Sequence, residues 1–135
     1  MQALMSSNIY DVDKTIVVMG SCLQQVSPYV FNMIKEQYDR IYTLCLEETH
    51  INMAITKIGS MIRTNKIKEI LFVSVDKSPH CVQMHYIQDE LNKMMDLSKI
   101  SIKNYIVDTN VLIPISKKTI SLSKNLQKLE EMIFS

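Results

Sequence analysis

Four short runs of β-branched and other apolar residues alternate along the chain with segments in which apolar residues recur every three to four positions. The runs span residues 14–19, 40–46, 69–75 and 100–107, and the periodic segments span residues 28–38, 49–64, 79–94 and 116–133. A short continuous apolar run is typical of a strand covered on both faces, and the longer period is typical of an amphipathic helix. Strands that alternate with helices pair in parallel through right-handed crossovers. The sequence therefore predicts an α/β fold, a three-layer sandwich around a mainly parallel sheet of four to five strands.

The fifth strand is predicted over residues 111–115, where Pro114 favours the edge of the sheet because proline cannot donate to a strand ladder. For the first four strands we favour the flavodoxin-like order 2-1-3-4, and the Rossmann-like order 3-2-1-4 is the alternative. A chain of 135 residues has the size of one domain. We therefore expect a single α/β domain over residues 1–135, with residues 1–12 as an N-terminal arm that is loose or docked.

Composition excludes several classes of function. The chain has 15 Lys and Arg against 14 Asp and Glu, so it lacks the basic excess of a nucleic-acid binder. Two glycines are too few for a glycine-rich phosphate loop, and no apolar run approaches the roughly 18–20 residues of a membrane span. Three cysteines without a paired CxxC spacing suit a reducing compartment. We expect a cytoplasmic protein with neither nucleic acid nor membrane as a partner.

All three histidines and two of the three cysteines follow predicted strands. Cys22 follows the first strand, His50 the second, and His80, Cys81 and His85 the third. Because the carboxyl ends of parallel strands meet at one edge of the sheet, we expect these five side chains to form a metal or metal-cofactor site there. Thiolate and imidazole ligands suit zinc or iron. The predicted function is metal or metal-cofactor binding with a redox or accessory role.

The segment after the third strand also predicts thiol chemistry. With Ser78 as N-cap and Pro79 as first helical residue, Cys81 takes the third position, where the helix dipole would depress the pKa of its thiol. His85, four residues on, would lie beside Cys81 on the helix surface. Cys22 would serve as the resolving thiol, whereas Cys45 is expected to be buried inside the second strand. The candidate catalytic residues are Cys81, His80, His85 and Asp76.

A second class of function remains open beside the metal site. Thr49 and Ser78 are predicted to cap helices at the same edge of the sheet, and Ser21 lies in the loop after the first strand. Helix N-termini offer backbone N–H groups to a phosphate or carboxylate. The alternative prediction is a regulatory or protein-interaction module that binds a small anion or nucleotide without catalysis. Whether the chain is an enzyme is left open.

Four large aromatic residues are interpreted as lying off the main apolar stripes. Together with the 47% hydrophobic composition of a short chain and the Pro114 edge, they predict a homodimer. These residues are Tyr29, Phe31, Tyr38 and Tyr86.

Overall fold

The computed structural model describes residues 1–8 and 13–134, with the backbone alone for Asp13. The strands are β1 (Gln2–Ala3), β2 (Asp13–Gly20), β3 (Ile41–Leu44), β4 (Lys66–Val75), β5 (Ser101–Asp108) and β6 (Val111–Ile115). They form one sheet in the order β1-β3-β2-β4-β5-β6. The first five strands pair in parallel, and β6 runs antiparallel to β5. The predicted α/β class is confirmed, and the four central strands have the favoured 2-1-3-4 order.

Helices connect and flank the strands. They are α1 (Leu23–Val26), α2 (Pro28–Gln37), α3 (Ile51–Thr64), α4 (Ile87–Met94), α5 (Lys117–Ser123) and α6 (Leu126–Phe134). Two 3₁₀ helices cover Leu4–Ser6 and Cys81–Tyr86. The core lies around β2 and β4, where residues 16–19 and 70–75 are buried. Both strands have a neighbouring strand on each side, and a strand that helices cover on both faces must be apolar on both faces.

The N-terminal segment docks onto the sheet. Residues Gln2 and Ala3 pair with β3 as an additional edge strand, and the Leu4 side chain that follows is fully buried. Within residues 1–8 and 13–134 the sheet therefore has six strands rather than the predicted four to five. Two residues are too few to show a strand period, which is why the sequence pattern did not reveal β1. The remainder of the predicted arm, residues 9–12, lies outside the described residues.

Three predicted helix boundaries were wrong. His50, not Thr49, is the N-cap of α3, and its side chain makes no capping bond. The α-helix expected at Pro79 begins only at Ile87, after a 3₁₀ helix. The helix predicted over residues 116–133 is divided in two, because the Asn125 side chain accepts from the Lys128 N–H and starts α6.

The residues that predicted a homodimer do not share one environment. Phe31 belongs to the core, whereas Tyr29 is exposed and β6 does form the edge of the sheet. Helix α6 has no buried residue, and Leu126 and Phe134 are 78% and 75% exposed. The homodimer stays a prediction. Across the described residues, no helix combines the length and apolar character needed to cross a bilayer.

Candidate functional site

A small crevice lies at the carboxyl ends of β2, β3 and β4. Strand order reverses at this point, because the chain leaves β2 for β3 on one side and later returns to β4 on the other. Such a reversal is where open parallel sheets bind ligands. The crevice has a volume of about 120 Å³. Its lining residues are Gly20, Ser21, Cys22, Leu44, Cys45, Leu46, Glu47, Ser78, His80 and Cys81.

Gly20 provides the space in which two thiols meet. A β-carbon placed on Gly20 would lie 2.4 Å from Cys81 Sγ and 3.7 Å from Cys22 Sγ. Cys81 Sγ also accepts a hydrogen bond from the Val75 N–H at 3.2 Å, which holds the thiol over the end of β2. A side chain at position 20 would displace this sulfur. The glycine at the end of β2 therefore allows close approach rather than binding of phosphate.

The Cys81 thiol is protected rather than activated. Burial raises the pKa of Cys81 to about 12, and the neighbouring Cys22 and Cys45 thiols add to the rise, while the hydrogen bond from Val75 opposes it. The predicted depressed pKa was wrong for a structural reason. Cys81 starts a 3₁₀ helix and its sulfur turns inward, so loss of solvent outweighs any helix dipole.

The same 3₁₀ geometry separates His85 from Cys81. Four residues turn through about 40° beyond one full turn in an α-helix but about 120° beyond it in a 3₁₀ helix. His85 therefore leaves the crevice and enters a buried network. Its Nε2 lies 2.7 Å from Ser74 Oγ, and its Nδ1 lies 2.8 Å from Asn104 Oδ1. The prediction that His85 lies beside Cys81 was wrong.

The network around His85 is closed and neutral. Asn104 Oδ1 accepts a hydrogen bond, so His85 Nδ1 carries the proton and Nε2 accepts from the Ser74 hydroxyl. Asn104 Nδ2 donates in turn to Gln88 Oε1 at 3.3 Å. Burial lowers the pKa of His85, although the bond to Asn104 opposes the shift. Ser74 is 0% exposed, so this arrangement holds the fold together and offers no accessible nucleophile.

Two residues that the sequence did not assign to the site complete the crevice. Cys45 directly follows β3, is partly exposed and lines the cavity, so its prediction as a buried strand residue was wrong. Glu47 Oε1 lies 3.1 Å from His80 Nδ1 across the mouth of the crevice. Glu47 lines the crevice, and Glu48 is not among its lining residues.

The predicted site residues divide into two groups. Ser21, Cys22, Ser78, His80 and Cys81 line the crevice. Thr49, His50 and His85 are not among its lining residues, and Asp76 lines a different cavity. Within residues 1–8 and 13–134, no set of three or more His, Cys, Asp or Glu side chains has an arrangement that could hold a metal ion.

The order in which the cysteines react with a limiting alkylating reagent follows from this geometry. We expect iodoacetamide at pH 7 to label Cys22 and Cys45 before Cys81, because Cys81 is buried and its pKa is raised. Mass spectrometry of the labelled peptides measures the order. Protein unfolded in denaturant, where the three rates should converge, is the control. Labelling of Cys81 first would contradict the structure and restore the helix-dipole argument.

A mainly parallel sheet with flanking helices and a crevice at its switch point defines a doubly wound α/β domain. Comparison with family models agrees with this class. Residues 11–134 match the family described as Rossmann-like domain, and the chain belongs to it. No curated protein and no solved structure gave a match to the chain.

The crevice does not fit the dinucleotide that many doubly wound folds bind. The end of β2 and the turn after it contain one glycine, Gly20, and Cys81 Sγ fills the space beside it. The helix that follows, α1, has four residues, and a volume of about 120 Å³ is well below that of an ordinary cofactor pocket. The chemistry of this site therefore resides in its thiols and in the Glu47–His80 pair.

Proposed function

We propose that the chain is a thiol-redox module in which Cys22 and Cys81 form a reversible disulfide across the switch-point crevice. One observation carries the proposal: both sulfurs lie within 4 Å of the single point above Gly20 where a side chain would begin. The Cys22 thiol is also a hydrogen-bonding neighbour of Cys81. Two thiols in hydrogen-bonding contact need little backbone movement to reach disulfide geometry.

The two cysteines have different roles because their exposure differs. Cys22 is partly exposed and meets the external oxidant, whereas Cys81 is buried behind it. The oxidant is a low-molecular-weight disulfide, RSSR. The Cys22 thiolate attacks one sulfur of RSSR, forms a mixed disulfide and releases RS⁻, which takes up a proton. Cys81 then gives its proton to His80 and attacks the Cys22 sulfur, which displaces RS⁻; this thiolate takes up a proton and becomes the second RSH. Two protein thiols are oxidised to one disulfide, and RSSR is reduced to two thiols.

We assign His80 as the base that accepts the proton released by Cys81. It lines the same crevice, and its Nδ1 faces Glu47 Oε1 at 3.1 Å. When Nδ1–H donates to this carboxylate, Nε2 is left as the acceptor nitrogen. The Glu47 carboxylate thereby fixes the ring in the tautomer that can receive a proton. This arrangement supports a thiol-exchange step with its base supplied by the crevice itself.

A bound zinc or iron ion is the second candidate, and the third thiol favours it. Cys45 joins Cys22 and Cys81 at the crevice, and thiolates with the His80 imidazole are suitable donors for either metal. The described side chains are not in an ion-holding arrangement, so this candidate requires the thiols to move together. Binding of a small anion near Thr49 or Ser78 stays a prediction from the sequence.

The test is titration of anaerobically purified, metal-analysed protein with mixtures of glutathione and glutathione disulfide. We expect one intramolecular disulfide between Cys22 and Cys81, mapped by mass spectrometry of unreduced peptides, with Cys45 free. Cys45→Ser should retain this disulfide, and Cys22→Ser should lose it. A disulfide that includes Cys45, or mixed glutathione disulfides alone, would contradict the proposal. One equivalent of zinc or iron whose removal exposes all three thiols would support the second candidate instead.

A further inference from the structure

A second cavity lies on the other side of β4, away from the thiols. It has a volume of about 210 Å³ and shares no lining residue with the crevice. Its floor is formed by Ile106 of β5 and Ile115 of β6. Val82 and Tyr86 of the 3₁₀ helix form one wall, and Ile120 of α5 forms part of another. The cavity therefore lies where the edge hairpin, the 3₁₀ helix and α5 meet.

The size and walls of this cavity define the apolar part of a ligand. A closed apolar cavity of about 150 Å³ is large enough to hold benzene. A volume of about 210 Å³ therefore accepts one ring, or a branched alkyl group, together with a short polar extension. Ile106, Ile115 and Ile120 would surround this apolar body with aliphatic side chains.

Asp76 supplies a carboxylate to the cavity wall. Its backbone N–H donates to the Val107 carbonyl at 3.0 Å, which holds the residue at the end of β4. Among the described residues, the Asp76 side chain makes no hydrogen bond or ion pair, although it is partly buried. A partly buried carboxylate without a partner is stabilised most by a charge-assisted hydrogen bond from a cationic donor.

The neighbouring polar groups are already engaged with one another. Lys77 pairs with Asp108 at 3.7 Å, on the outside of the cavity. Lys124 pairs with Asp89. The Tyr86 hydroxyl lies 3.1 Å from the Ser123 hydroxyl, and the Thr119 hydroxyl, which also lines the cavity, lies 3.1 Å from the Ser116 hydroxyl.

His85 also reaches the cavity wall, but its two ring nitrogens are held by Ser74 and Asn104. Among the polar groups that line this cavity, the Asp76 carboxylate is therefore the one we expect to bind a ligand.

We propose that this cavity is a binding site for a small primary amine, whose ammonium group bonds to Asp76 and whose apolar body lies between Ile106 and Ile120. Three donors on the ammonium match a carboxylate acceptor, and the aliphatic walls exclude water from the rest of the ligand. The site is independent of the thiols, so it does not rest on the redox function proposed above.

The test uses benzylamine as the probe, with benzyl alcohol and benzoate as neutral and anionic counterparts of nearly equal size. Amide chemical shifts are followed in ¹H–¹⁵N spectra of the full chain during titration. We expect benzylamine to perturb Ile106, Tyr86 and Ile120, benzyl alcohol to bind about tenfold more weakly, and benzoate not to bind. Asp76→Asn should weaken benzylamine at least tenfold and leave benzyl alcohol unchanged. Asp108→Asn is the matched control and should leave both affinities unchanged.

Three results would overturn the proposal. They are the absence of benzylamine binding at millimolar concentration, equal binding by wild type and Asp76→Asn, and shifts confined to residues away from the cavity. Val82→Phe, which fills the cavity from its wall, should also abolish binding. If Val82→Phe does not fold, the comparison of wild type with Asp76→Asn is the deciding test. Repeating the titration with Cys22→Ser should give the same affinity, so that failure here is distinguishable from failure of the redox function.

Discussion

Substitution of Gly20 by alanine should lower the free energy of unfolding by about 2–3 kcal/mol, the cost of overpacking a closed core position. The added β-carbon would lie 2.4 Å from Cys81 Sγ. This sulfur is buried and accepts the Val75 N–H bond, so it can move away only by giving up that bond. Urea-induced unfolding measures the change, which should appear in the midpoint with little change in the slope.

A double-mutant cycle tests whether the clash with Cys81 causes the loss. We expect Gly20→Ala to cost much less in a Cys81→Ala background, because the sulfur that it meets is gone. Gly59→Ala is the matched control. Its β-carbon would lie 3.3 Å from Leu91 Cδ2, the end of a flexible side chain, and alanine favours a helix interior by up to about 1 kcal/mol. Equal costs of Gly20→Ala in both backgrounds would show that Cys81 is not the obstacle.

Replacing Asn104 with leucine should cost about 3 kcal/mol, because two buried polar partners lose their hydrogen bonds at once. The His85 Nδ1–H would lose its acceptor, and Gln88 Oε1 would lose the Asn104 amide as donor. Leucine branches at the same carbon as asparagine and has the same number of side-chain heavy atoms, so the substitution leaves no cavity. Asn92→Leu, at an exposed position of α4, is the control and should change stability by less than about 0.5 kcal/mol.

The His85 network also determines how stability depends on pH. Burial lowers the folded-state pKa of His85 below its ordinary value of 6.5, so the unfolded chain takes up this proton first as the pH falls. The contribution of His85 is therefore complete above pH 6.5 and is lost as the pH falls toward the folded pKa. We expect His85→Phe to remove this component of the pH dependence. An unchanged slope between pH 6.5 and pH 5 in that variant would contradict the assignment.

The four central strands could be predicted from the sequence because apolar residues concentrate in each of them, whereas two strand orders remained open. Residues 16–19 and 70–75 are buried as the patterns indicated, and Pro114 lies in the edge strand. The two candidate strand orders differed in which segments meet at the switch point. Cys22 and Cys81 share one crevice in the observed order, as the favoured prediction required.

The errors at the site have one physical source, which is local backbone geometry. Periodicity predicts a helix but does not distinguish the 3₁₀ form from the α form over a single turn. His85 and Cys81 were therefore expected on one face, and they lie apart. The sequence predicts Cys45 as a strand residue because the apolar run continues to Leu46, whereas β3 ends at Leu44. One residue beyond the last ladder bond, alternation no longer determines where a side chain points.

The mixed sheet has a kinetic consequence. Among the described strands, β5 and β6 are joined by a two-residue turn at Thr109 and Asn110, both with positive φ. The parallel pairs β2–β3, β2–β4 and β4–β5 must each wait for a crossover segment to be placed before any ladder bond can form. The entropy of loop closure is therefore lost before most of the stabilising strand contacts can form. This order of events slows folding. The edge hairpin is the part of the sheet that can assemble early, and the β2–β4 pair, in which Val17 and Leu71 are 54 positions apart, is expected to form late.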